Sequence, residues 1–206
     1  MNRRIILAST SPRRIEILKK AGIQFEVVAP EYEEEMNLTM PPQELVKHLA
    51  RRKATSIAHK YPDAIIIGAD TFVVLDNIIF GKPKTPQRAK EMLLALNGKA
   101  HQVMTGLAVL DTKIKKEFSD VDISRVREKK ISEQEIDTYI ATGEPLDKAA
   151  AYAIQGRGAK FIERIEGDIY SIMGLPLDLL MKMFRENFPE VVDDKEICSK
   201  GEQLKD

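Results

Sequence analysis

The sequence predicts an α/β protein with a mixed sheet. Apolar segments of strand length and amphipathic segments of helix length occur along most of the chain, and several helical segments carry clear start and stop signals. The two kinds of segment do not alternate strictly, so a regular Rossmann fold is not expected. The chain has 206 residues, of which 43% are hydrophobic, and this is enough to bury a sizeable core.

The first part of the chain predicts two strands separated by a helix. Residues 4–9 form a short apolar run that is typical of a buried strand, and residues 25–30 form a second one. Between them, residues 11–21 show the apolar spacing of an amphipathic helix. Pro12 suits the first turn of this helix, and Gly22 suits its end.

The next part predicts a long helix followed by a strand hairpin. Residues 41–61 show helical periodicity, and residues 64–75 form a continuous apolar strand. Asp76 and Asn77 are typical residues of a tight turn, so residues 78–80 are expected to return as the hairpin partner.

The second half of the chain predicts further helices and a second hairpin. Thr85 caps a helix that ends near Gly98, and Ser132 and Glu135 have the spacing of a capping box at the start of another. The other predicted elements are strands at 101–111 and 113–128, a helix at 132–142, strands around 160–172 and a helix from Leu177. No linker divides the chain, so we expect one α/β domain over residues 1–188 and a flexible charged tail over residues 189–206.

Composition limits the classes of partner and compartment. Lys plus Arg (32) equals Asp plus Glu (32), which argues against binding nucleic acid by bulk charge. Cys198 is the only cysteine, so no disulfide can form within the chain. The apolar runs are too short to span a bilayer or to act as a signal peptide. We therefore expect a cytoplasmic protein without a membrane or nucleic-acid partner.

Basic residues gather where helices are predicted to begin. Arg13 and Arg14 lie in the first turn of the first helix, where the partial positive charge of the helix dipole makes a cation unfavourable by about 0.3–1 kcal/mol. Lys82 and Lys84 come just before another helix start. An anion bound at these positions would reverse the unfavourable electrostatics, because guanidinium groups and free backbone N–H groups both suit phosphate oxygens.

Acidic residues complete a predicted phosphate-chemistry site. Asp70 lies inside an apolar strand, where a carboxylate needs a partner, and residues 31–35 hold four glutamates. Carboxylates can hold a divalent cation and act as a general base. Alternatives remain at this stage: Asp70 with a structural role, the acidic run as a solvated loop, Arg14 paired with that run, and residues 154–159 as an ordinary turn. The sequence lacks the P-loop and dinucleotide motifs.

Five ordered segments resemble one known family. They are "LASTSPRR", "GADTFVVLDNIIFGKP", "GKAHQVMTGLAVL", "GEPLDKAAAYAIQGRGA" and "GLPLDLL". Together these segments, spread over roughly residues 4–182, are similar to the Maf family of nucleoside triphosphate pyrophosphatases. The resemblance implies an elongated, twisted sheet flanked by helices, with two lobes around a central cleft. It also implies a divalent metal (Mg²⁺ or Mn²⁺), a nucleoside triphosphate substrate and a homodimer.

The resemblance also assigns roles to individual residues. Asp70 matches the proton acceptor, and the positions that line the triphosphate are Ser9, Arg14, Lys53 and Lys82. Asp70 and Glu34 match the acidic positions that hold the metal, with Glu33 and Glu35 as flanking alternatives for Glu34.

Three further positions concern the nucleobase. Arg13, Thr71 and Gln155 match the dTTP/UTP branch of the family, whereas a branch acting on N7-methyl-GTP carries Trp, Gln and Glu there. The amide of Gln155 offers both a donor and an acceptor, as the imide edge of uracil or thymine requires. Another function remains open, a nucleotide-binding regulatory module that inhibits septum formation.

Overall fold

The computed structural model describes residues 3–32 and 39–191 of the chain. Its strands and helices confirm the predicted α/β class. In chain order they are β1 (Arg4–Leu7), α1 (Pro12–Lys20), β2 (Glu26–Val27), α2 (Pro42–Ser56), β3 (Ala64–Leu75), β4 (Ile78–Phe80), α3 (Pro86–Leu96), β5 (Ala100–Asp111), β6 (Lys116–Glu128), α4 (Glu133–Ile140), β7 (Ile162–Glu166), α5 (Ile169–Met173) and α6 (Leu177–Asn187). Short 3-10 turns lie at Ala58–Lys60, Glu144–Asp147, Ala149–Ala151, Gly156–Phe161 and Pro189–Val191.

The strands form a mixed sheet, as predicted. Their order is β2-β1-β3-β5-β6-β7, and β4 pairs with β3 outside this path. Strand β1 is parallel to β2 and to β3, with Ile6 opposite Ile66 in the second pair. Strand β4 is antiparallel to β3, and β7 is antiparallel to β6. The antiparallel pairs explain why no strict alternation of strands and helices appears in the sequence.

The chain divides into two compact units. Unit 1 contains the described parts of Met1–Asp70, Gly106–Asp122 and Gly174–Asp206, and unit 2 contains Thr71–Thr105 and Ile123–Met173. Three of the four divisions fall inside β3, β5 and β6, and the fourth falls directly after α5. The single domain expected over residues 1–188 stays a prediction, and residues 192–206 of the expected tail lie outside the described residues.

Local signals account for the best-predicted boundaries. The Thr85 hydroxyl accepts a hydrogen bond from the backbone N–H of Arg88 at 3.2 Å, and Ser132 and Glu135 form the predicted capping box of α4. Asp76 and Asn77 have φ values of 49° and 64°, as expected for the tight turn between β3 and β4. These boundaries depend on side chains within a few residues, which makes them visible in the sequence.

Three predicted elements differ from the structure. The strand predicted at 25–30 is limited to Glu26–Val27, and the helix predicted at 41–61 ends at Ser56. The strands predicted around 160–172 give way to helix α5 after β7. Gly167 leaves the extended conformation with a φ of 118°, and the Asp168 carboxylate then accepts the backbone N–H of Tyr170 at 2.8 Å, which is a helix-start interaction.

Two glycines let helix α2 contact the sheet of unit 1 closely. A Cβ atom at Gly68 in β3 would overlap the carbonyl oxygen of Ala50, and one at Gly106 in β5 would overlap that of Val46. Both positions therefore require glycine for this contact. The small buried side chain of Ala54 also faces this contact, so the last turn of α2 lies directly against β3.

The core of unit 2 encloses titratable side chains. His101 Nε2 and the Tyr152 hydroxyl are 2.6 Å apart, and the Glu128 side chain is also buried. Burial lowers the pKa of His101 to about 4 and raises the pKa of Glu128 to about 8. Both groups are therefore neutral near pH 7.

Candidate active site

A buried ion pair joins helix α2 to strand β3 in unit 1. The Lys53 ammonium group donates a hydrogen bond to Asp70 Oδ1. The side chains of Lys53 and Asp70 are only 8% and 9% exposed. A carboxylate in an apolar strand needs such a partner, as the sequence indicated, and Lys53 supplies it from the helix that Gly68 brings close. Two residues predicted separately, for proton transfer and for phosphate binding, thus contact each other.

Ser9 and Arg14 form a second polar cluster in unit 1, at the start of helix α1. Ser9 is buried, and its hydroxyl oxygen accepts hydrogen bonds from the backbone N–H of Ser11 and from Arg14 Nη1, both at 3.2 Å. A hydroxyl group has one proton and two lone pairs. Since both lone pairs of Ser9 are used, a further ligand can only accept its proton, as a phosphate oxygen does.

Arg14 is also anchored to the backbone after α5. Its Nε donates a hydrogen bond to the carbonyl oxygen of Gly174 at 2.7 Å. The alternative pairing with the acidic run is not seen for Glu31, which instead bonds to Lys60 Nζ. Glu33 and Glu35 lie outside the described residues. The side chain is therefore held at the N-terminus of α1 by two different groups, in spite of the unfavourable helix dipole.

The other predicted basic residues lie at helix starts. Arg13 is in the first turn of α1 and is half-buried, and the Ser11 side chain makes no capping bond to this helix within the described structure. Lys82 lies in the loop between β4 and α3 in unit 2, with an exposed side chain, shortly before the N-cap residue Thr85. Both positions match the sequence prediction, and their roles in binding stay predictions.

Thr71 begins a hydrogen-bonded chain in unit 2. Its hydroxyl oxygen is 2.9 Å from that of Thr105 in β5. The Thr105 hydroxyl in turn donates a hydrogen bond to the carbonyl oxygen of Ser171 at 2.7 Å. Thr105 and Ser171 are fully buried, whereas Thr71 is partly exposed. Thr71, the predicted specificity residue, is therefore held in position by hydrogen bonds to buried groups.

Gln155 lies beside a tight turn that a carboxylate holds in place. Its side chain is exposed, and Gly156 has a φ of 69°. The Glu144 carboxylate accepts the backbone N–H groups of Arg157 at 3.2 Å and Gly158 at 3.1 Å, and the Tyr139 hydroxyl at 3.0 Å. Burial opposes ionisation of Glu144, but these donors and Lys148 together lower its pKa. Glu144 is thus a fixed negative anchor for the turn that follows Gln155.

The supporting residues were only partly visible in the sequence. Thr105 is a polar residue inside the apolar segment 103–109, which is the same signal that singled out Asp70. Glu144 carries no comparable signal, because its turn contacts come from residues 13 and 14 positions later in the chain.

The described residues offer a carboxylate for a divalent cation, although not a complete cage. They contain no group of three or more His, Cys, Asp or Glu side chains suited to a metal ion, and Glu34 lies outside them. Mg²⁺ in nucleotide enzymes is commonly held by one or two carboxylates together with substrate phosphates and water. The Asp70 carboxylate is chemically suited to that mode of binding.

Comparison with known proteins decides the family. The model of the Maf-like protein family matches residues 4–187. The chain belongs to the Maf family. It is 51% identical to a dTTP/UTP pyrophosphatase of Dictyoglomus thermophilum over 86% of this chain and 92% of that protein. It is 47% identical to a dTTP/UTP pyrophosphatase of Alkaliphilus metalliredigens over 90% of this chain and 96% of that protein.

One solved structure shares the fold of this chain. The Ham1 protein of Staphylococcus aureus aligns over 89% of this chain and 98% of its own, with a TM-score of 0.51 and 13% sequence identity. At this low identity the similarity shows the fold alone. None of the helices among the described residues has the length and apolar character needed to cross a membrane.

Proposed function

We propose that this chain hydrolyses dTTP and UTP to the nucleoside monophosphate and pyrophosphate. Two relatives carrying the name dTTP/UTP pyrophosphatase are 51% and 47% identical to it over most of both chains. The structural observation that carries the chemistry is the buried Lys53–Asp70 pair. Carboxylates are among the side chains that act as general bases, and the Lys53 ammonium group compensates the burial of this one.

In the proposed mechanism, Asp70 accepts the proton of the water that attacks the α-phosphorus. Lys53 balances the charge of Asp70 in the empty protein, and its ammonium group has three N–H donors. It can therefore keep its bond to Asp70 while it donates another to a phosphate oxygen. Lys53 would thus hold the base and the substrate in a fixed relative position, which is a major source of rate enhancement.

The triphosphate is proposed to bind the start of helix α1. The Ser9 hydroxyl has only its proton to offer, and the Arg14 guanidinium is held beside it at 3.2 Å. Backbone N–H groups in the first turn of a helix also attract phosphate oxygens. Lys82 is proposed as a further cation for the phosphate chain. A phosphate bound there would offset the unfavourable position of Arg14 at the start of α1.

A divalent cation, Mg²⁺ or Mn²⁺, is proposed to accompany the substrate. Asp70 and Glu34 would hold it together with phosphate oxygens, with Glu33 or Glu35 in place of Glu34 as the alternative. When bound, the ion neutralises phosphate charge and makes the attacked phosphorus more electrophilic.

The nucleobase is proposed to be read by Arg13, Thr71 and Gln155. The Gln155 amide can donate to a carbonyl and accept from the imide N–H of uracil or thymine. Glu144 would hold the following turn so that this amide keeps one orientation.

We further propose a cytoplasmic homodimer without a nucleic-acid partner, and a single domain over residues 1–188.

The proposal is tested by a panel of nucleoside triphosphates. UTP, dTTP, CTP, ATP, GTP and N7-methyl-GTP are incubated with the protein and Mg²⁺ or Mn²⁺, with EDTA as a control, and the products are separated and identified. We expect UTP to give UMP and dTTP to give dTMP, each with one pyrophosphate per monophosphate. With EDTA we expect no turnover. Release of UDP and phosphate would contradict the proposal. Tight UTP binding without turnover would instead favour the regulatory module.

A further inference from the structure

The direction of the hydrogen bonds behind Thr71 can be deduced from the chemistry of the three groups involved. The carbonyl oxygen of Ser171 is an acceptor only, so the Thr105 hydroxyl, 2.7 Å away, must donate its proton to it. A hydroxyl group has a single proton. Thr105 can therefore only accept a hydrogen bond from the Thr71 hydroxyl, which lies 2.9 Å away.

This assignment determines what Thr71 can offer to any other group. Its only proton points to Thr105, so every further hydrogen bond of the Thr71 oxygen is one that it accepts. Thr105 and Ser171 are fully buried, so solvent does not compete for these bonds. The side chain of Thr71 is partly exposed and can be approached by a ligand.

We propose that Thr105 is a positioning residue that fixes the Thr71 hydroxyl as an acceptor, so that Thr71 shares the single imide N–H of uracil or thymine with the Gln155 amide oxygen. This inference rests on the proposed function, because it assumes that Thr71 contacts the base. Uracil and thymine carry a hydrogen on ring nitrogen 3, whereas cytosine carries a lone pair there. An acceptor-only hydroxyl is attractive to the first arrangement and repulsive to the second. Discrimination against CTP thus depends on a residue that does not itself touch the base.

The test compares three variants in unit 2. Thr105→Val keeps the shape of the side chain but removes its hydroxyl, so Thr71 can rotate its proton towards the ligand and donate to nitrogen 3 of cytosine. We expect the ratio of kcat/KM for UTP to that for CTP to fall by at least about tenfold. Thr105→Ser retains the hydroxyl and should retain the ratio. Thr138→Val removes an exposed hydroxyl of α4 and should leave the ratio unchanged.

A substrate analogue gives a second test that does not depend on the folding of a variant. UTP methylated on nitrogen 3 lacks the imide proton, and the wild-type protein should turn it over at least about tenfold more slowly than UTP. Equal turnover of the two would overturn the inference. An equal loss of UTP and CTP turnover in Thr105→Val, with the ratio unchanged, would also overturn it, since a merely structural role acts in that way. Absence of pyrophosphate release from UTP by the wild-type protein would instead overturn the proposed function.

Discussion

Ser9 in unit 1 and Thr71 in unit 2 are both hydroxyl side chains at predicted site positions, but their hydrogen bonds run in opposite directions. Ser9 accepts bonds from the backbone N–H of Ser11 and from Arg14, so it has only a proton to offer. Thr71 gives its proton to Thr105, so it has only lone pairs to offer. The first suits the oxygen of an anion, and the second suits the N–H of a base.

The same contrast extends to the buried titratable groups. Unit 1 buries a charged pair, Lys53 with Asp70, whereas unit 2 buries His101 and Glu128 as neutral groups. Apart from Lys82 in unit 2 and Arg13 in unit 1, the proposed roles therefore place charge chemistry in unit 1 and neutral donor–acceptor recognition in unit 2. Substitutions at the phosphate and catalytic residues of unit 1 should change turnover of all nucleotides by a similar factor. Substitutions behind Thr71 and Gln155 should change the ratio between nucleotides.

The largest effect is expected at Asp70. Asp70→Asn removes the proposed general base, and we predict a loss of kcat by about 10²–10⁴-fold for UTP and CTP alike. It also removes the negative charge that contacts the buried Lys53 ammonium group, so the ligand-free protein should lose about 3 kcal/mol of stability. Turnover is measured at a temperature well below the melting point of the variant.

The matched control for Asp70 is an exposed aspartate of unit 1. Asp63→Asn removes a half-exposed charge that pairs with Lys113 at 3.0 Å and with Arg3 at 3.4 Å, and it should leave turnover nearly unchanged and cost at most about 1 kcal/mol of stability. Near-normal turnover in Asp70→Asn would refute the catalytic assignment. A loss for UTP without a comparable loss for CTP would refute the separation of rate and discrimination.

A smaller effect is expected at Glu144, and it should appear in the ratio of kcat/KM for UTP to that for CTP. Glu144→Gln replaces one acceptor oxygen with an NH₂ group that cannot accept the backbone N–H groups of the turn. We predict that the UTP-over-CTP ratio of kcat/KM falls by about tenfold, which corresponds to the unpaired-group penalty of about 1–3 kcal/mol. The comparison variant is Glu163→Gln, which alters an exposed bond to Arg127 in the same unit and should keep the ratio. A uniform loss for every nucleotide would assign Glu144 to stability alone.

The smallest predicted effect concerns the pH dependence of stability through Glu128. Its pKa is about 8 in the folded chain, against an ordinary value of 4.5 that we take for the unfolded chain. Between these values the folded state holds a proton that the unfolded state has released, so stability decreases as the pH rises. We predict a loss of about 1–2 kcal/mol between pH 6.5 and 8.

The window above pH 6.5 isolates Glu128 from His101. The pKa of His101 is lowered from 6.5 to about 4, so its contribution rises with pH only between those two values. Melting temperatures of the wild type and Glu128→Gln at pH 6.5 and 8 give the comparison. The variant should lose the decline seen in the wild type, and an identical decline in both would show that Glu128 is not the group responsible.

The sequence predicted local features better than distant contacts. The caps at Thr85 and Ser132 and the turn at Asp76 were correct because each depends on neighbouring residues. Helix α5 was missed because its start depends on a backbone turn at Gly167 that resembles a strand end. The interpretation of Asp70 as a residue in need of a partner was correct, but nothing in the sequence pattern identified Lys53 as that partner.

The site shows the same limit. Among the residues predicted from the family resemblance, Asp70 lies inside a strand and Arg14 lies at a helix start, and both stand out because their types are unusual there. Thr105 and Glu144 act through contacts with residues far along the chain, and those contacts exist only in the folded protein. The direction of a hydrogen bond could not be predicted either, because it depends on the acceptor behind the hydroxyl.

The most direct test of the separation between the two units uses the two hydroxyl groups themselves. The measurement is kcat/KM for UTP and for CTP in Ser9→Ala and in Thr71→Val, relative to the wild type. We predict that Ser9→Ala lowers both values by a similar factor, because it removes a donor to the phosphates that the two substrates share. Thr71→Val should lower the UTP-over-CTP ratio by about tenfold, because it removes the acceptor for the imide N–H. A changed ratio in Ser9→Ala together with an unchanged ratio in Thr71→Val would contradict this account.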